Sequence, residues 1–203
     1  MIIKHITPDL EVSESIIIVG NSGNILNREY GAMIDSFGTV ARFNRAPTEG
    51  FEKYVGSKTD LRIVNPNVFL NIPFDKEGQP KDFVRDLRNF KIVLISPQED
   101  VHLKKNRNVH ETCEVYHLPI ESYKEICINK NLPPRRARHT TGFNFIKLCI
   151  ISGLVPSVIG FGVDEVIKSH FWEIHKDQSS HDVNSEHDIL IKWDKQMKIK
   201  LIL

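Results

Sequence analysis

The sequence predicts an α/β fold with a mostly parallel central sheet flanked by helices. First, short apolar runs that look like strands alternate with helical patterns along the chain, as in sheets whose parallel strands are joined by helices. Second, four apolar residues follow one another at 16–19, which is typical of a strand buried on both faces. Third, the runs before 20–24 and 160–164 end in glycine-rich turns, and ligands bind beyond such strand ends.

The predicted strands are short runs rich in apolar residues, at 15–19, 39–43, 60–64, 91–95, 114–118 and 157–161. The closing run at 198–203 is a further candidate strand. The predicted helices lie at 81–89, 121–129, 142–153 and 183–196. The assignment of 142–153 rests on apolar residues at helical spacing and on Gly153 as its end.

Length and composition predict a single domain over residues 1–203. The chain is 40% hydrophobic and 26% charged, with a formal net charge of +1, so its overall charge gives no reason to expect nucleic acid as a partner. No window approaches the roughly 20 apolar residues of a transmembrane helix, and the N-terminus does not have the pattern of a signal peptide. Three cysteines do not make a disulfide framework, which favours a cytoplasmic location.

The turn Gly-Asn-Ser-Gly-Asn at 20–24 is a candidate ligand site. A dinucleotide fingerprint needs a different glycine spacing, and a nucleophile elbow needs glycine where Asn24 stands. Two interpretations stay open. In one, Asn21, Ser22 and Asn24 form a neutral polar cradle for a nucleotide; in the other, serine and asparagine cap an ordinary strand-to-helix turn.

Four blocks in order resemble the sialyl motifs of the animal-type sialyltransferases, glycosyltransferase family 29. Residues 18–65 contain VGNSGN, YG-x-x-ID, V-x-RFN-x-AP, GFE and VG-x-KT, as in the large motif. Residues 140–162 begin with Thr-Thr-Gly and end with Gly-Phe-Gly, as in the small motif. His-Phe-Trp-Glu at 170–173 resembles the third motif, and His181 with Glu186 has the His-x4-Glu spacing of the very small motif.

This resemblance implies a GT-A-like, Rossmann-type sandwich that moves sialic acid from CMP-sialic acid to a glycan hydroxyl with inversion. It implies that His181 is the general base, with Glu186 in the same motif, and that His170 stabilises the departing phosphate. His175 and His187 are the next candidates for the base. The resemblance implies no metal and no other cofactor, and the sequence contains no Asp-x-Asp motif.

The resemblance also assigns the nucleotide to a set of small, polar or glycine residues drawn from the large and small motifs. They are Asn21, Ser22, Asn24, Asn44, Thr140, Thr141, Gly142, Gly160, Phe161 and Gly162. Arg42, in the same region, is expected to support the fold through a carboxylate such as Asp35 instead of binding substrate.

The chain departs from the family pattern in two places. Ile16 and Gly153 stand near the positions of a cysteine pair that forms a disulfide in the animal enzymes, which favours a cytoplasmic protein of microbial or viral source. Arg138 and His139 replace the usual Tyr-Pro before Thr-Thr-Gly. We assign both to the acceptor site as a hypothesis. The basic cluster of Arg135, Arg136 and Arg138 is either a solvated loop or a contact with an anionic group, such as a lipopolysaccharide acceptor or the donor carboxylate.

Two alternatives remain at this stage. The motifs recognise mainly CMP, so a transferase that uses CMP-Kdo, a related keto-acid donor, fits the same residues. A CMP-sugar-binding module without catalytic activity also fits, although His181, Glu186 and His170 argue against it. The basic, amphipathic C-terminal segment at 191–203 suggests contact with a membrane surface, or more simply a final helix and edge strand.

Overall fold

The computed structural model describes residues 3–7, 9–72, 91–97, 114–118, 120–127, 139–163, 170–173 and 183–203. An antiparallel hairpin comes first, made of β1 (Ile3–Thr7) and β2 (Leu10–Ser13). A seven-stranded sheet follows, made of β3 (Ile16–Val19), β4 (Thr39–Phe43), β5 (Leu61–Val64), β6 (Lys91–Pro97), β7 (Val115–Leu118), β8 (Ser157–Ile159) and β9 (Lys200–Ile202).

Every neighbouring pair in the large sheet is parallel, in the order β7-β6-β5-β4-β3-β8-β9. The chain runs outward from β3 to β7 on one side, then returns to the other side of β3 as β8 and β9. The carboxyl ends of β3 and β8 therefore meet where the strand order reverses, and ligands bind at such points in open parallel sheets. The predicted α/β class with a parallel central sheet is confirmed.

The described helices are α1 (Gly31–Asp35), α2 (Glu52–Val55), α3 (Pro66–Leu70), α4 (Ile120–Cys127), α5 (Thr141–Ile151) and α6 (Val183–Lys195), with a 3-10 helix at Gly23–Asn27. The predicted helices at 142–153 and 183–196 are confirmed to within two residues. The prediction at 121–129 matches α4, and its last two positions lie outside the described residues. The prediction at 81–89 lies outside them entirely.

The C-terminal segment folds as the end of α6 followed by β9, so the simpler of the two explanations for its amphipathic pattern is confirmed. In the part of the chain that the structure describes, no helix is both long enough and apolar enough to cross a membrane. β8 is shorter than the predicted strand at 157–161, because Gly160 turns away with a φ of 73°.

The core lies on both faces of the sheet. Ile16 and Ile18 of β3 face one apolar cluster, which α5 covers, while Ile17 and Val19 face a second cluster under α1 and α2. Successive side chains of a strand point to opposite faces, so a central strand covered on both sides needs an unbroken apolar run. This explains the sequence Ile-Ile-Ile-Val.

Arg42 joins the pieces of the large motif from inside the fold. Its guanidinium donates to the carbonyl oxygens of Lys58 and Val55 at 3.0 and 2.7 Å and to the Thr59 hydroxyl at 3.1 Å. Burial lowers the pKa of Arg42 to about 10, against the opposing influence of Asp35 and other acidic charge nearby. Arg42 is therefore structural, as expected, but it binds carbonyl and hydroxyl oxygens instead of a carboxylate.

Candidate functional site

The carboxyl ends of β3 and β8 touch through two glycines. The amide of Gly20 donates to the Ile159 carbonyl at 2.7 Å, and the amide of Ser22 donates to the Gly160 carbonyl at 2.9 Å. A Cβ atom on Gly20 would collide with the carbonyl of Gly160. Gly160 itself has a φ of 73°, which side-chain-bearing residues rarely adopt. The two strand ends therefore approach this closely only with glycine at both positions.

The turn after Gly20 carries two buried polar atoms that make no hydrogen bond within the part of the chain that the structure describes. Among the described residues, Asn21 Oδ1 and Ser22 Oγ are buried and have no hydrogen-bond partner. Ser22 precedes the 3-10 helix, but its side chain makes no capping hydrogen bond there. Buried polar groups are nearly always partnered, so these two atoms are suited to a polar ligand, and Ser22 does not cap the helix as the second interpretation expected.

Two further asparagines were predicted at the site: Asn44 directly follows β4, and Asn24 lies in the 3-10 helix after β3. Asn44 has a φ of 47°, which asparagine tolerates better than most residues, and its Oδ1 accepts the amide of Asn65 at 3.2 Å. Asn44 therefore orients the start of α3. Asn24 belongs to the 3-10 helix and lines a cavity beside the end of β8.

That cavity has a volume of about 170 Å³ and lies between the 3-10 helix, the end of β8 and β9. The Tyr30 hydroxyl donates to the Leu203 carbonyl at 2.9 Å and so closes one wall. Sequence reasoning did not identify this wall, because Tyr30 and Leu203 are far apart in the chain. The residues that line the cavity include Asn24, Arg28, Tyr30, Gly160, Gly162 and Leu203.

The N-terminus of α5 adjoins the Gly-Phe-Gly turn. Gly142 lies so close to the ring of Phe161 that a Cβ atom would collide with it. Thr140 is the N-cap and accepts the amide of Phe143 at 3.2 Å. The amides of Thr141 and Gly142 have no acceptor among the described residues. Free amides and the helix dipole together favour an anion at this end of α5.

Glu186 of α6 holds the N-terminus of α5 through hydrogen bonds with Thr140. Its carboxylate accepts the amide and the hydroxyl of Thr140, both at 2.7 Å, and its Oε1 lies 3.5 Å from Nδ1 of His139. The side chains of His139 and Glu186 are 9% and 7% exposed. The two residues therefore form a buried pair, and Glu186 acts on the site through Thr140.

His170 lies next to the end of β3. It forms a bridge with Ser22, and the amide of Phe171 donates to the Asn21 carbonyl at 3.0 Å. The Nδ1 atom of His170 is 3.0 Å from Glu173 Oε1, and its ring stacks on Trp172 with 4.5 Å between centroids. The third motif is thus joined to the large motif through backbone hydrogen bonds.

The structure brings together most of the predicted nucleotide residues of the large and small motifs, and His170 of the third motif lies beside Ser22. His181 and Arg138 lie outside the described residues, as do His175 and Arg135, so the base and the Arg138 acceptor contact stay predictions. Sequence reasoning missed the link from Glu186 to Thr140. The acid near the start of α6 and the threonine before α5 are both evident in the sequence, but they are 46 positions apart, and no local pattern predicts a contact over that separation.

Comparisons with known proteins point to one family. The sequence model of glycosyltransferase family 29 (sialyltransferase) matches residues 11–198. Over 75 residues the chain is 45% identical to the human CMP-N-acetylneuraminate-beta-1,4-galactoside alpha-2,3-sialyltransferase, which covers 37% of this chain and 19% of that protein. Over 54 residues it is 52% identical to the beta-1,6-galactosyltransferase GALT29A of Arabidopsis thaliana, covering 27% of this chain and 14% of that protein.

The fold has a solved counterpart. The crystal structure of a mammalian sialyltransferase superposes with a TM-score of 0.68 and 22% identity, covering 92% of this chain and 68% of that one. The alignments with the human and Arabidopsis relatives each span less than a fifth of the relative's own length.

The predicted cytoplasmic location and microbial or viral source are wrong. The sialyltransferases that match include animal proteins, among them those of human and pig, and animal sialyltransferases are typically enzymes of the Golgi lumen. The prediction relied on the cysteine count and on Ile16 and Gly153 in place of the family disulfide. A domain of this size buries enough apolar surface to fold without a disulfide, so missing cysteines do not report the compartment.

Proposed function

Because the chain belongs to glycosyltransferase family 29, the sialyltransferase family, we propose that it transfers sialic acid from CMP-sialic acid to a hydroxyl group of a glycan. The observation that carries this proposal is the meeting of three family motifs at one edge of the sheet. Ser22 of the large motif is bridged to His170 of the third motif, and Gly20 contacts Gly160 of the small motif.

In this proposal the donor's nucleotide binds across the ends of β3 and β8. The amides of Thr141 and Gly142 hold the phosphate at the N-terminus of α5. Asn21 and Ser22 supply the polar atoms that meet the ribose or phosphate, since both are buried and unpartnered among the described residues. Gly160 and its neighbours let the backbone approach the nucleotide closely.

The chemical step is a single inverting displacement. The acceptor hydroxyl attacks the anomeric carbon, the bond from that carbon to the phosphate oxygen of CMP breaks, and His181 takes the hydroxyl proton as general base. Negative charge grows on the departing phosphate, and His170 donates a hydrogen bond to it from its place beside Ser22. Glu186 keeps the end of α5 in position through Thr140.

We further propose that the transfer needs no metal ion. The sequence lacks Asp-x-Asp, and the helix N-terminus and His170 supply the charge stabilisation that a divalent cation gives in other glycosyltransferases. Activity should be unchanged after treatment with EDTA. Loss of activity on chelation, with recovery on adding manganese or magnesium, would contradict this part of the proposal.

The donor is tested by measuring product formation with three donors on one galactoside acceptor: CMP-sialic acid, CMP-Kdo and an activated galactose. Activated galactose is included because GALT29A, one of the matching proteins, is a galactosyltransferase by name. We expect transfer from CMP-sialic acid alone. Transfer from either other donor in its place would overturn the proposed donor, and CMP binding without transfer from any would indicate a binding module.

A further inference from the structure

A buried carboxylate stands beside the proposed phosphate site. Both oxygens of Glu186 are held by Thr140, at the N-terminus of α5. The amides that would bind the donor phosphate follow immediately, at Thr141 and Gly142. A carboxylate and a phosphate at the same helix end repel each other, and the repulsion is strong where water is excluded. A positive charge next to Glu186 would remove this repulsion.

His139 is placed to supply that charge. Its Nδ1 lies 3.5 Å from Glu186 Oε1, so the two form an ion pair when the imidazole is protonated. The ring packs on Phe143 with 4.6 Å between centroids, and the carbonyl of His139 accepts the Asn144 amide group at 3.4 Å. These contacts hold the ring against Glu186 and leave little of its surface for an acceptor.

We propose that His139 is the counter-ion of Glu186, and that it positions the donor nucleotide by cancelling the carboxylate's charge at the phosphate-binding end of α5. The proposal rests on the proposed function, because it takes this helix end as the phosphate site. The usual family residue before Thr-Thr-Gly is proline, which carries no charge, so the device belongs to the Arg-His variant of the motif found in this chain.

The test is the affinity for CMP, measured by titration calorimetry on the full chain at one fixed pH. His139→Asn keeps an N–H group near the position of Nδ1 but can never be charged. We expect it to bind CMP about tenfold more weakly, the size of one ordinary charge-assisted interaction. His139→Gln, also neutral, should show the same loss and serves if the Asn variant folds poorly.

Glu186→Gln distinguishes a counter-ion from a structural contact. Once the carboxylate is neutral, no counter-ion is needed, so adding His139→Asn to Glu186→Gln should change CMP affinity by less than about twofold. A matched control is His5→Asn, because His5 and Glu11 form a similar pair at 3.6 Å that is more than half exposed, on the N-terminal hairpin. That variant should bind CMP as the unmodified chain does.

Unchanged CMP affinity in both His139 variants overturns the inference. So does the same tenfold loss in the Glu186→Gln background, which would show that the ring acts through packing alone. Failure of the proposed nucleotide site looks different, because the unmodified chain would then not bind CMP at all. Failure of the proposed transfer is seen in the donor assay and leaves the comparison of CMP affinities intact.

Discussion

Ser22 and Thr140 each precede a helix, yet they use their hydroxyl groups differently. Thr140 caps α5 by accepting the amide of Phe143. Ser22 makes no such bond to the 3-10 helix, and its Oγ is buried. The sequence pattern was compatible with capping at both positions. The Thr140 hydroxyl is therefore used within the fold, while the Ser22 hydroxyl is available for the ligand that we propose.

Ser22→Ala should therefore reduce the affinity for CMP without lowering stability. We expect about tenfold weaker binding, from the loss of roughly 1–1.5 kcal/mol of hydrogen bonding, measured by calorimetry. The midpoint of thermal unfolding should stay the same or rise slightly, since no partner in the described fold is lost. Ser36→Ala, which removes an exposed bond to the Met33 carbonyl, is the control and should leave CMP binding unchanged. A stability loss in Ser22→Ala with unchanged CMP binding would make Ser22 structural.

Asp35 makes the opposite kind of contact, entirely within the fold. Its carboxylate accepts the amides of Ser57 and Lys58 and the hydroxyl of Ser57, between 2.9 and 3.0 Å. Burial pushes its pKa upward, but these hydrogen bonds and Arg42 together outweigh burial and hold the pKa below the usual 3.8. Asp35 is thus stabilising when it is ionised.

Asp35→Asn should lower stability near neutral pH by about 1 kcal/mol, since amides bind a neutral acceptor less strongly. A lowered folded-state pKa gives stability that is fully present above the unfolded-state value near 4 and is lost as the pH falls through the folded-state pKa. Denaturant titrations of both proteins should therefore differ at pH 7, and the difference should shrink as the pH falls below about 4. A difference that is constant with pH would show that the charge of Asp35 contributes nothing.

At the scale of elements, periodicity decided what the sequence could predict. The strands of the large sheet and the helices α5 and α6 were found because each carries a repeated apolar pattern. The helices α1, α2 and α3 have four or five residues, too few for a helical repeat to show. The β1–β2 hairpin was missed for a related reason, because its short strands carry charged residues such as Lys4 and Glu11.

The end of β8 depends on the positive φ of Gly160. Gly160→Ala should destabilise the fold by roughly 3 kcal/mol or more, because the methyl group adds a collision with the Gly20 carbonyl and Ile25 to the strain of a positive φ. Gly153 offers a matched control: its φ is 75°, but a Cβ atom there meets nothing within 4 Å. Gly153→Ala should lose only about 1–2 kcal/mol.

Chemical denaturation of the two glycine variants measures this difference directly. If both variants lost the same free energy of unfolding, the ends of β3 and β8 could separate without loss of stability. The close contact between them would then not be a requirement of the fold.

For the whole molecule, we predict one cooperative unfolding transition, because the hairpin and the large sheet share one apolar cluster. CMP at 100 times its dissociation constant should add about 2.7 kcal/mol of stability, which raises the midpoint by roughly 5–10 °C for a chain of this size. Differential scanning calorimetry with and without CMP tests both points. Two transitions, of which CMP shifts only one, would show that the chain contains two independent units.

The pairing of β3 with β8 has a consequence for how the protein forms during synthesis. Ile17 pairs with Ser157, and the strands laid down between them occupy the other side of the sheet. A ribosome adding about 5–20 residues per second releases β4 to β7 before β8 exists, so the nascent sheet grows with one edge of β3 uncovered. Contacts this distant along the chain slow folding. The nucleotide site therefore closes late, and CMP cannot assist the early stages of folding.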